Sequence, residues 1–247
     1  MSTTTQPIVG GSTIAHSIFD HVVVGIDGSP ESLEAASQAA KIATGPVSLV
    51  AAYDLAQAVV GAGMMPTPVR IDEEPLREHA EAALAWAEAA FGIPLDTHIA
   101  RGRPWIALLD QIAEHGHTLV AVGSHGAGRA KGILIGSTAT ELIHKAPCSV
   151  LVARRPIREF PGTIVVGVDG SAASLAADAV AMQLSERFGT DLIRLENVTH
   201  PVSTLSDAAI EADLLVVGSR GLHGLKALGS VSERVAHEAK CSVLVVR

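Results

Sequence analysis

Three segments recur in the same order along this chain, and no other feature limits its fold as strongly. Residues 22–29 read VVVGIDGS and residues 164–171 read IVVGVDGS. Residues 119–126 read LVAVGSHG against LLVVGSRG at 214–221, and residues 148–154 read CSVLVAR against CSVLVVR at 241–247. Three ordered matches are not chance. The chain is two copies of one unit, joined near Arg155 to Pro161, and both must be satisfied by one arrangement of elements. The second copy, from Phe160 to Arg247, is shorter than the first, from Phe19 to Arg155. The difference falls between its second strand and VVGSRG, where the first copy has room for a helix, a strand and another helix.

Within the first copy, β-branched runs alternate with segments of helical spacing. His21 to Ile26 reads as a strand ending in an Asp-Gly-Ser turn, and Pro30 opens a helix carrying Leu33, Ala36, Ala40 and Ala43. Val47 to Tyr53 is a second strand, followed by an apolar loop. A helix from about Glu73 to Phe91, a half-polar strand from Leu95 to Ala100, a helix marked by Trp105, Leu109 and Ile112, and a strand from Leu119 to Val122 come next. Thr138 to Lys145 is a last helix and Ser149 to Ala153 a fifth strand. Strands alternating with helices imply right-handed crossovers and a parallel sheet. The expected fold class is α/β, with two tandem doubly wound parallel sheets. The first has the order 3-2-1-4-5, and the second is truncated and lacks an internal helix-strand-helix block. In that order the switch point lies between strands one and four, so Asp27 and the loop from Gly123 meet at one crevice.

Composition narrows the classes of function. With 48% hydrophobic and 18% charged residues, disorder is excluded. A net charge of −8 argues against binding to a nucleic-acid backbone, and 3% aromatics leaves few rings for stacking on bases. Cys148 and Cys241 alone make no disulfide scaffold. Residues 1–17 lack a basic or compact apolar segment, which gives the expectation of a cytoplasmic chain with no membrane partner.

The loop GSHGAGRAKGILIGST carries the chemistry. Gly123, Gly126 and Gly136 let backbone N–H groups approach an anion, and the helix opening at Ser137 and Thr138 offers free N–H groups and a favourable dipole. Arg129 and Lys131 add cations. No G-x-x-x-x-G-K-[ST] is present, and GIDGSPES is not a dinucleotide fingerprint.

The spacing G-x2-G-x9-G-[ST] after a fourth strand, with V-x-x-D ending the first, resembles the universal stress protein family, in its tandem, ATP-binding form. The resemblance covers nearly all of residues 19–247. It implies a complete nucleotide-binding domain at 19–155, a linker at 156–159 and a truncated second domain at 160–247, after residues 1–18, whose Ser, Thr and Gly content reads as a flexible tail. It places Ile26 and Asp27 beside the adenosine, with Ala52 in the adenine pocket. Gly123, His125 and Gly126 would lie near the ribose and phosphates, and Gly136, Ser137 and Thr138 would hold the phosphates. The implied ligand is ATP, with or without Mg2+, and AMP or cyclic AMP stay open. It also implies that the two domains pair through their fifth strands, Ser149–Ala153 and Ser242–Val246, and leaves open a further homodimer. In the second copy seven residues, not nine, separate Gly221 from Gly229, which sets its phosphate loop apart.

Plainer readings stand beside these. Asp27 can simply hold its turn. His115 and His117 lack a third ligand and read as solvated, so no metal is expected. The cysteines read as inert buried thiols, and Trp86 and Trp105 as packing. No triad, metal cluster or base for water at a γ-phosphate is present, so no catalytic residue is assigned. The expectation is an ATP-binding regulatory protein of the stress response, in which nucleotide shifts a conformational population. The alternatives are a slow ATPase on the same scaffold, or an assembly protein whose second domain caps the first.

Overall fold

The computed structural model describes residues 18–55, 72–92, 95–126, 135–156, 159–219 and 231–247. The N-terminal tail, the apolar loop after strand two, the loop bearing Arg129 and Lys131, and the second glycine loop all lie outside the described residues.

The first copy runs β1 (Val22–Ile26), α1 (Pro30–Ile42), β2 (Val47–Tyr53), α2 (Glu74–Phe91), β3 (Asp96–Arg101), α3 (Pro104–His115), β4 (Leu119–Gly123), α4 (Ser137–Lys145) and β5 (Ser149–Ala153). The second runs β6 (Thr163–Val168), α5 (Ala172–Phe188), β7 (Asp191–Glu196), α6 (Pro201–Ala208), β8 (Leu214–Gly218), α7 (Val231–Glu238) and β9 (Ser242–Val246). These strands join edge to edge in one nine-stranded sheet of order β3-β2-β1-β4-β5-β9-β8-β6-β7. The first copy therefore has the 3-2-1-4-5 order. Its strand pairs are parallel, as are those of the second copy. At the seam β5 and β9 run antiparallel, with Leu151 opposite Leu244.

Why these residues form these elements is visible locally. The Ser29 hydroxyl accepts from the Ser32 amide and starts α1, with Pro30 at the first helical position. Ser171 does the same for α5 through Ser174. Every residue of β5 and β9 is buried, as the continuous apolar runs of a sheet covered on both faces require. Alternate side chains feed two cores, and each core draws on both copies. One holds Val24, Leu49 and Ala83 with Ile164 and Leu184, and the other holds Val120, Leu108 and Leu142 with Leu215 and Val235.

One expectation is corrected. The shortened crossover of the second copy keeps a helix, α6, so the missing block is a helix and an edge strand rather than helix-strand-helix. Pro201 opens α6, and Val202 and Leu205, three apart, bury against the sheet. Two turns with two apolar anchors give too short a pattern to stand out in sequence.

The uncovered face shows how the chain adapts to the loss of α2. The matching N-caps make Asp178 of α5 the counterpart of Ala36, and strand register makes Arg194 of β7 the counterpart of Leu49. Ala36 and Leu49 lie fully buried in the same cluster as Ala80 and Ala83 of α2. In the second copy, which has no such helix, Asp178 and Arg194 form an ion pair at 2.6 Å. Charge replaces the apolar contact where the covering helix is gone.

Candidate functional site

At the C-terminal ends of β1 and β4 the sheet opens into a cavity of about 530 Å³. Such a crevice arises because the crossovers from neighbouring strands depart to opposite faces. Of the sequence-selected residues, Ile26, Asp27, Ala52, Gly123, His125, Gly126, Gly136, Ser137 and Thr138 all line it. Arg129 lies outside the described residues.

Asp27 ends β1. Its Oδ1 accepts from the Ser29 amide at 3.0 Å and from the Ser29 hydroxyl at 2.5 Å, so the carboxylate holds the turn. Asp169 does likewise with Ser171, at 3.1 and 2.6 Å. The plainer reading of this aspartate is thus real, and it also fixes the carboxylate at the cavity mouth. Gly28 turns the chain there with φ +77°. The other carboxylate oxygen, Oδ2, faces Gly126, where a Cβ would stand 2.5 Å away. A side chain at Gly126 would push this carboxylate aside, so the glycine leaves Asp27 in place.

Across the crevice, α4 begins at Gly136. The Gly136 amide donates to the Ser124 carbonyl at 2.7 Å, anchoring the loop's return to β4. Among the described residues no side chain caps α4, so its first residues, Ser137 and Thr138, line the cavity without the side-chain acceptor that Ser29 gives α1. Free amides at a helix start form an anion site. His125 meets Ser124 Oγ through Nδ1 at 3.0 Å, which orients its ring.

Sequence reasoning missed a wall. Leu76, His79, Ala80 and Ala83 of α2 line the cavity, with Tyr53 and Asp54 at the end of β2. The helical pattern of α2 was legible, but nothing local says that it folds back over strand two at the crevice. The described lining holds the carboxylates of Asp27 and Asp54 and, among the described residues, no lysine or arginine.

The equivalent crevice of the second copy is smaller, about 160 Å³, bounded by Asp169, Leu195, Asn197, Pro201, Leu205 and Gly218 among others. It has no counterpart of α2.

Other selected residues behave differently. Trp105 packs against the core with the Lys145 ammonium 4.0 Å above its ring. Trp86 is 42% exposed, because its place in α2 falls to one side of the stripe of Ala80, Ala83, Leu84 and Ala87 that the helix buries. His117, in the turn between α3 and β4, is buried rather than solvated. Burial pushes the thiols of Cys148 and Cys241 up to about 11 and about 12, which keeps them protonated and unreactive. Among the described residues, no three His, Cys, Asp or Glu side chains are grouped to hold a metal ion, and no helix is long and apolar enough to cross a membrane.

Comparison with known proteins agrees with this architecture. The model of the universal stress protein family matches residues 18–154 and 198–247. A universal stress protein of Mycolicibacterium smegmatis is 29% identical over 287 aligned positions, covering 92% of this chain and 96% of that protein. Universal stress protein Rv2623 of Mycobacterium tuberculosis is 28% identical over 286 positions, with the same coverage of 92% and 96%. Both alignments are longer than the 247 residues of the chain, so parts of those relatives have no counterpart here. Among solved structures, a universal stress protein from Archaeoglobus fulgidus shares the fold, with a TM-score of 0.69, 20% identity and coverage of 92% and 95%. Sequence motif, sheet order and family match agree: the chain belongs to the universal stress protein family.

Proposed function

We propose that the first copy binds an adenine nucleotide, ATP foremost, and that the chain is a nucleotide-dependent regulatory protein of the stress response. One observation carries the reading. The motif residues at the end of β1, the end of β4 and the start of α4 line a single cavity. Its 530 Å³ is the size of a small-molecule site, roughly 300–1,000 Å³. The chemistry is divided along it. The amides of Ser137 and Thr138 suit phosphates, Asp27 suits ribose hydroxyls as an acceptor, and Ala52 with Leu108 gives an apolar bed for a base. Arg129 and Lys131 belong by sequence to the same glycine loop and would add positive charge. With carboxylates at Asp27 and Asp54, a triphosphate would arrive with its divalent cation, Mg2+, which supplies charge neutralisation for the phosphates.

Denaturing freshly purified protein and identifying released small molecules by mass spectrometry tests the reading. About one ATP per chain is expected from the difference between the two crevices. AMP or cyclic AMP would change the ligand and keep the site. Absence of nucleotide, together with absence of heat on titrating ATP and magnesium, would overturn it. Asp27→Asn keeps the turn acceptor and removes the charge. It should weaken binding by about tenfold, the scale of one hydrogen bond to a charged group.

A further inference from the structure

Two of the helices whose N-terminal ends border the first copy's cavity, α1 and α4, are gripped at their opposite ends by arginines of the second copy. The carbonyls of Ile42 and Ala43, at the end of α1, accept from Arg187 Nη1 and Nη2 at 3.0 Å each. The Ile143 carbonyl, in the last turn of α4, accepts from Arg247 Nη2. These carbonyls have no partner inside their own helices, and they carry the negative end of the dipole, so a guanidinium suits them. Beside the second grip, His144 of α4 meets Glu233 of α7 at 3.2 Å. The first copy answers in kind, since Arg154 donates to the Ala236 carbonyl of α7 at 2.6 Å and to the Cys241 carbonyl at 3.2 Å.

We propose that Arg247 and Arg187 are positioning residues for the first copy's ligand site, and that the shortened second copy serves as its rigid support. The proposal rests on the nucleotide reading above. With nine residues, α4 is about 13 Å long, a rod short enough that fixing one end aims the other. It buries only Ala139, Leu142 and Ile143, so packing alone holds it lightly. Arg247 therefore sets where the amides of Ser137 and Thr138 point. Arg187 acts on the other side of the crevice. It fixes α1, whose start at Ser29 carries the hydrogen bonds that hold Asp27. One arginine supports the phosphate end of the site and the other the nucleoside end.

Isothermal titration of the full chain with ATP and with adenosine separates the two. Arg247→Ala should weaken ATP roughly threefold to tenfold, the usual scale of coupling between distant sites, and leave adenosine within about twofold. Arg247→Lys, which keeps a donor to the carbonyl, should recover most of the loss. Arg187→Ala should weaken ATP and adenosine alike. Hydrogen exchange without nucleotide gives a second reading, in which Arg247→Ala speeds exchange at the amides of residues 137–140 and leaves β1 and β4 unchanged. Unchanged ATP affinity with unchanged exchange in α4 overturns the proposal. So does an equal loss of ATP and adenosine with faster exchange throughout, which would make Arg247 a general stabiliser. If the unaltered chain binds neither ligand, the nucleotide reading fails, and the exchange experiment alone decides whether Arg247 holds α4.

Discussion

His117 is 8% exposed, and neither of its ring nitrogens has a hydrogen-bond partner among the described residues. Burial is the main cause that holds its pKa below the ordinary 6.5, and His115 and His21 add repulsion, partly offset by Asp96. A histidine with a depressed folded pKa binds fewer protons in the folded chain than in the unfolded one. Above 6.5 the ring is neutral in both states and no charge has to be removed on folding, whereas stability is lost as pH falls below that value. The melting temperature should therefore drop between about pH 7 and pH 5, and His117→Phe should flatten that part of the curve. A flat profile in the unaltered chain would contradict this. Gly123 makes a different demand, because a Cβ there would stand 2.7 Å from the backbone carbon of Glu31. Since backbone cannot swing aside as a side chain can, Gly123→Ala should cost about 1–3 kcal/mol in denaturant unfolding. Gly218→Ala, facing Ala173 at 2.4 Å, should behave alike. Sequence marked both glycines through the repeat. What it assigned to a ligand, the structure assigns first to the contact between the end of a strand and the start of a helix.

At the scale of elements, the paired charges Asp178 and Arg194 stand where the first copy has Ala36 and Leu49 beneath α2. An ion pair this exposed adds little stability, about 0–1 kcal/mol, so its effect is on solubility. Leu175 and Met182 are already 53% and 38% exposed on α5. The double variant Asp178→Ala with Arg194→Leu should leave the melting temperature within a few degrees and produce self-association by light scattering or sedimentation. A strictly unchanged molecular mass would show that the charges do not guard this face. Most elements were legible because helix and strand are set by spacing within a few residues. The exception, α6, has only Val202 and Leu205 to declare it. The wall that α2 gives the cavity was invisible for another reason: a helix pattern reports that one face is buried, and not against what.

At the scale of the molecule, both cores are shared by the two copies. Gln38 of α1 donates to the Arg154 carbonyl at 2.7 Å and accepts from the Ser242 hydroxyl at 2.7 Å, in a network buried across the seam. Units that share core and network unfold together, so calorimetry should show one transition, with equal calorimetric and van 't Hoff enthalpies. Two resolved transitions would mean that the copies are independent. Deleting residues 156–247 would strip β9 from β5 and expose the apolar edge Val150–Ala153, so the remainder should dimerise or aggregate, and a stable monomer would count against this. The sequence alone determined the repeat, and the alternation of strands and helices pointed to the strand order of the first copy and to the meeting of Asp27 with the glycine loop at its crevice. Tertiary structure alone decided the burial of His117, the exposure of Trp86, the difference in size between the two crevices, and the carbonyls that Arg187 and Arg247 reach. Those depend on contacts such as that between Gln38 and Ser242, 204 residues apart. No local pattern specifies such a pair, because its geometry exists only once the whole sheet has closed around it.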